Sequence, residues 1–147
     1  MLIDQVTSAG ALPALEMTLR FAGQRQRVLA HNVANLSTPD FRPQDVSVRG
    51  FQDTLREAIH QRRARNGGTH GGLQWKATRE LEIGSDGALR LNPRSPAQNV
   101  LFQDRNNRDL ERLMQAVAEN TAAFRVASDL MRQQSGMLRA AMAERVA

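Results

Sequence analysis

The residues best able to do chemistry in this chain are its three histidines, and they are badly spaced for it. His31, His60 and His70 lie far apart, and none falls in an H-x-x-x-H or H-E-x-x-H spacing that would bring two imidazoles to one metal ion. The serines lack the G-x-S-x-G setting of an activated nucleophile, and no glycine-rich loop carries a phosphate-binding lysine. Lys76 stands beside Trp75 in a stretch with strand character. Cysteine is absent, which removes disulfides and thiolate metal sites together. The sequence therefore reads as a non-enzyme with no catalytic residues, no metal and no cofactor. The sequon Asn35-Leu36-Ser37 is set aside because no secretory signal precedes it.

A second kind of chemistry, amide pairing at the end of a helix, is better represented. In HNVANLSTPDF, residues 31–41, Asn32 and Asn35 stand three apart on the last turns of an apolar helical pattern. Pro39 forbids its continuation. Thr38-Pro39-Asp40-Phe41 then has turn chemistry, with proline presetting φ and Asp40 able to bond locally or accept a left-handed conformation. The amides can pair with a neighbouring backbone or with each other.

The elements that must position this turn follow from periodicity. Leu12, Leu15, Leu19, Ala22, Leu29, Val33 and Leu36 recur at three and four spacing, with Gln26 as the polar seam position, and Pro13 suits the first turn. A second series, Leu110, Leu113, Val117, Asn120, Phe124, Ala127, Met131, Gln134, Leu138 and Ala141, predicts a helix over 108–143 with polar layers at Asn120 and Gln134. Asn106 or Asn107 can cap it, and Asp109 and Glu111 suit its N-terminal end. Between the two, prolines and the run NGGTHGG at 66–72 mark a partly flexible insert. FQDTLREAIHQ, 51–61, keeps helical spacing, and the Ser85-Asp86-Gly87 turn predicts a small β-hairpin, with Trp75 as its interior anchor.

The expected fold is mainly α: long N- and C-terminal helices in an antiparallel coiled coil, with residues 1–41 and 104–147 as its core and 42–103 as a projecting insert. An ordinary helical bundle is the alternative. Two helices cannot bury both of their flanks, so further copies or a partner are expected to complete the core. The 147 residues suit one domain. A net charge of +5 with pI near 11.3 raises nucleic acid as a partner. The arginines are interspersed with carboxylates, and aromatics make up only 4%, so the stacking platform of a single-strand binder is missing.

Residues 24–46, QRQRVLAHNVANLSTPDFRPQDV, resemble the N-terminal signature of flagellar rod and hook proteins, N-x-A-N-x-x-T-P-G-[YF]-[KR], through Asn32, Ala34, Asn35, Thr38, Pro39, Phe41 and Arg42. The tail over 110–142 is similar to the C-terminal helix of the family's proximal rod members, with Gly136, Leu138 and Arg139 matching its end. His31 replaces the usual Asn or Ser, and Asp40 replaces the turn glycine. The resemblance to the flagellar basal body rod family implies a structural subunit, exported by the flagellar type III apparatus without a cleaved signal peptide. It also implies a multi-copy assembly in the periplasm-spanning rod, with other rod proteins and the rod-to-membrane-ring junction protein as partners. Leu15, Leu19, Leu29, Val33, Val117, Phe124, Met131 and Leu138 are then expected to pack the inner helical layer. Asn32, Asn35, Thr38, Pro39 and Phe41 are expected to set how one subunit joins the next. A non-polymerising coiled-coil adaptor for a helical partner is the alternative function.

Overall fold

The computed structural model describes residues 10–84, 87–95 and 110–144. In chain order these form α1 (Leu12–Ala34), α2 (Val48–Asn66), the strands β1 (Leu81–Ile83) and β2 (Leu89–Leu91), and α3 (Leu110–Glu144). The molecule is mainly helical with one small antiparallel sheet. The expected caps Asn106, Asn107 and Asp109, the start of the last helix at 108 and the turn residues Ser85 and Asp86 lie outside the described residues.

α1 begins with Pro13 in its first turn, as its missing N–H allows, and ends two residues earlier than the apolar pattern suggests. The reason is Asn35. Its backbone N–H donates to the His31 carbonyl at 3.1 Å and its side-chain Nδ2 donates to the same oxygen at 2.9 Å, so the side chain caps the final turn.

α2 extends three residues before and five beyond the expected 51–61. Ser47 Oγ accepts from the Gly50 N–H at 2.9 Å and caps the start. Gly67, at φ +65°, ends the helix in the left-handed conformation that a side chain disfavours. The glycine run after it is a loop with its own hydrogen bonds: Asn66 Nδ2 donates to the His70 carbonyl at 2.8 Å and Thr69 Oγ1 to the Asn66 carbonyl at 3.2 Å.

The hairpin pairs Leu81 with Leu91, Glu82 with Arg90 and Ile83 with Leu89. Its alternation puts the four apolar side chains on one face and an opposite-charge cross-strand pair on the other. The apolar face closes a core of Phe21, Val46, Phe51, Leu81 and Leu89, with Met17, Leu55, Trp75, Ile83 and Leu91 packed around it. Phe21 of α1 and Phe51 of α2 stack with ring centroids 4.0 Å apart, and Trp75 lies tilted on Phe51 at 5.7 Å.

The insert therefore does not project from one end, as the sequence pattern suggests, but folds back along α1. α1 has a second face that the heptad reading leaves out. Phe21, Arg25 and Asn32, all buried, follow one another at helical spacing on that face and meet the insert. Arg25 donates from Nε to Asp45 Oδ1 at 2.8 Å and from Nη2 to Oδ2 at 2.6 Å. Asp45 in turn exchanges two backbone hydrogen bonds of 2.9 Å with Arg94, beyond β2. Arg20 donates to the Gly87 carbonyl at 2.9 Å, and Gln24 donates to that of Leu89.

α3 lies along the other face of α1 in the opposite direction. Asn120 meets Ala22 and Gln26, while Met131, Ser135 and Leu138 border a cleft with Leu12 and Glu16. Replacing Phe51 by alanine empties the centre of the insert core and is expected to cost about 3–5 kcal/mol. Urea unfolding measures it; a loss below about 1 kcal/mol would mean that the insert is not seated on α1.

Candidate assembly surface

The turn after α1 is built by its two asparagines in different ways. Asn32 is 2% exposed. Its Nδ2 donates to the Gln44 carbonyl at 2.6 Å, and its Oδ1 accepts from the Gln44 N–H at 3.1 Å. One side-chain amide thus takes both hydrogen-bonding groups of one residue of the returning chain, as a paired strand would. The sequence expects Asn32 at the joint between subunits; within the chain its amide is engaged by the Gln44 backbone. Asn35 is half-buried and caps α1.

Thr38 and Pro39 are exposed, and the Thr38 N–H donates to the Asn35 carbonyl at 2.9 Å. Asp40 has φ +58°, the single positive φ of a non-glycine among the described residues. Aspartate is one of the side chains that accepts this region, so the turn survives without its glycine. Half-buried Phe41 returns over the helix end, its ring edge-on to His31 at 5.5 Å.

Of the expected seam residues, Leu29 is 1% exposed, and Leu15, Leu19, Val33, Val117, Met131 and Leu138 are half-buried; Met131 and Leu138 border the cleft with Leu12, whereas Leu19 lines one with Leu91 and Pro93 beside β2. The polar layers meet each other: Asn120, buried, donates to Gln26 Oε1 at 2.8 Å and to the Ala22 carbonyl at 2.9 Å. Two polar seam positions thereby satisfy each other across the helix pair and favour one register. Gln134 is half-buried. Phe124 departs from expectation. It is 42% exposed, because the facing position on α1 is Gly23, which gives the ring no side chain to pack against.

Three features were missed in the sequence. Arg25 was missed because an arginine in a helix reads as solvated; its signal was its place four residues after Phe21 and four before Leu29. Arg62 is buried and donates to the Gly10 carbonyl at 2.6 Å, tying α2 to the start of α1. The third is a row on α3, Val126, Leu130 and Met137, at 59%, 45% and 50% exposure. Spacings of four and seven put all three on one side of the helix, away from the Asn120 and Ala127 positions that face α1.

Among the described residues, no three His, Asp or Glu side chains gather as a metal site, and no helix is long and apolar enough to cross a membrane. No protein-family model matches the chain, and no curated protein is similar to it.

Asn32→Ala removes both hydrogen bonds of a buried amide to the Gln44 backbone, which water can partly replace because Gln44 is exposed, and is expected to destabilise by about 1–2 kcal/mol, while Asn35→Ala, at a solvated cap, costs about 0.5 kcal/mol or less. Equal losses for the two variants in urea would contradict the division of labour between them.

Proposed function

We propose that this chain is a structural, non-enzymatic subunit of the bacterial flagellar basal body rod, of the proximal type to which FlgB belongs. The observation that carries the reading is the unpartnered side of α3. One face of that helix is used against α1, and the row Val126, Leu130 and Met137 is left in solvent on another. A 35-residue helix with apolar side chains on two sides is suited to packing among further helices rather than ending a monomer's surface. The N-x-A-N-x-x-T-P turn of the rod family supports the same assignment, since here it ends the inner helix and sends the chain back along it.

In this reading α1 and α3 form the inner coiled-coil layer, and copies join through the outer side of α3 and the exposed Thr38–Pro39 corner. The neighbours are other rod proteins and the junction protein at the membrane ring. The subunit reaches the periplasm through the flagellar type III apparatus, and its work is to hold shape while torque passes through it.

The test is electron cryotomography of motors in the encoding bacterium. Deleting this chain is expected to leave a membrane ring without a rod, restored by re-expression; intact rods after deletion would reject the assignment in favour of a non-polymerising adaptor. Leu130→Asp with Val126→Asp is expected to abolish rod assembly while destabilising the isolated chain by no more than about 1.5 kcal/mol, the sum of two partly exposed helix positions and the repulsion of the new carboxylates four residues apart. Normal swimming in that double variant would show that the outer side of α3 is not an interface.

A further inference from the structure

Asn66–Gly67 is the single place in the chain where an asparagine is followed by glycine. The pair matters chemically because a backbone nitrogen can attack the side-chain amide carbon of the residue before it, and glycine has no Cβ to hinder that approach. Every other asparagine precedes a residue with a side chain, and Asn92 precedes a proline, whose nitrogen carries no proton.

The fold engages both reacting groups. Gly67 is the left-handed cap of α2, and its N–H donates to the Arg63 carbonyl at 2.9 Å. The Asn66 side chain is held in the glycine loop: Nδ2 donates to the His70 carbonyl at 2.8 Å, and Oδ1 is buried without a hydrogen-bond partner among the described residues. Gly71, at φ +87°, closes over the amide, since a Cβ there would stand 2.8 Å from Nδ2. Attack of the Gly67 nitrogen on Cγ therefore needs the last turn of α2 to unwind and the His70 contact to break together. The same loop joins α2 to the start of α1. Arg62 donates to the Gly10 carbonyl at 2.6 Å and to that of His70 at 3.3 Å, and the Gly10 N–H donates to the Thr69 carbonyl at 3.2 Å.

We propose that Asn66 is a site of spontaneous deamidation that the closed glycine loop suppresses, and that the reaction keeps an opened loop from closing again. The inference is independent of the rod assignment. In the opened loop the Gly67 nitrogen, its proton lost to solvent base, bonds to Asn66 Cγ; the Cγ–Nδ2 bond breaks, and the nitrogen leaves as ammonia with a proton from water. Water then adds to either carbonyl of the cyclic imide and opens it, to an aspartate or to a β-linked aspartate. The balance is one water consumed and one ammonia released, with no oxidant or reductant. An aspartate at this position sets an acceptor against the His70 carbonyl where a donor stood, and its charge draws Arg62 off the same oxygen. That charge also lies at the negative end of the α2 dipole. The β-linked form adds a carbon to the backbone at the helix cap.

The test is peptide mass spectrometry of the full chain aged in mildly alkaline buffer, folded or in guanidinium chloride, reading amide-to-acid conversion at each asparagine, with isoaspartyl methyltransferase labelling to identify the β-linked product. In guanidinium chloride Asn66 is expected to convert first. In the folded chain its rate is expected to fall at least about tenfold, because the reaction waits for local opening. Gly71→Ala, which crowds Nδ2, should recover most of the denatured rate while circular dichroism shows the helices intact. Asn66→Asp, standing for the product, should speed hydrogen exchange of the Gly10 and Gly67 amides at least about fivefold and leave that of α3 unchanged. Another asparagine converting before Asn66 in guanidinium chloride, equal Asn66 rates in the folded and denatured chain, an unchanged folded rate in Gly71→Ala with its helices intact, or unchanged exchange in Asn66→Asp would each overturn the proposal.

Discussion

A guanidinium cannot shed its charge on burial, so the 5% exposure of Arg25 obliges the fold to bring a carboxylate to it. Asp45 is that carboxylate, and much of the insert's placement follows from the pairing. Holding Asp45 against α1 fixes where the chain returns after the Thr38–Phe41 turn. Its backbone bridge to Arg94 then fixes the far leg of the hairpin on the same side. Asn32 secures the neighbouring residue, Gln44, two helical turns further along. Phe21, on the same face, supplies the apolar surface onto which Phe51 stacks. The ion pair contributes placement more than net stability, since desolvating it offsets much of the attraction; the stabilisation comes from the aromatic and aliphatic core beside it.

α1 is consequently buried on two sides, by the insert and by α3, whereas α3 is buried on one. That asymmetry is the basis of the assembly reading. The Asn120–Gln26 pair has a matching role in the helix pair. A polar contact in an otherwise apolar seam is satisfied in one register and left unpaired in those displaced from it, so it specifies alignment at some cost in stability. Specified alignment suits a subunit whose outer side chains must meet a neighbour in the correct place.

The periodic apolar pattern of 12–36 and the seam of 110–141 were legible because a helix repeats its environment every three or four residues, and the hairpin was legible from Asp-Gly between alternating apolar residues. The second face of α1 was not. Its members, Phe21, Arg25 and Asn32, mix an aromatic, a cation and an amide, and only the groups they meet, Phe51, Asp45 and Gln44, make them a surface. Those partners lie between 12 and 30 residues away, beyond the reach of local pattern. Phe124 shows the converse. Its spacing is that of a seam residue, yet the glycine opposite leaves the ring in solvent.

By itself the sequence determined the three helical segments, the turn chemistry after the first of them and the absence of a recognisable catalytic constellation. Each of these depends on residue type and near-neighbour spacing. Only the tertiary structure decided that the insert folds back along α1, that the Asn32 amide is engaged by the Gln44 backbone, and which side of α3 remains uncovered. Burial and pairing are properties of two surfaces at once, and one strand of sequence specifies only one surface at a time.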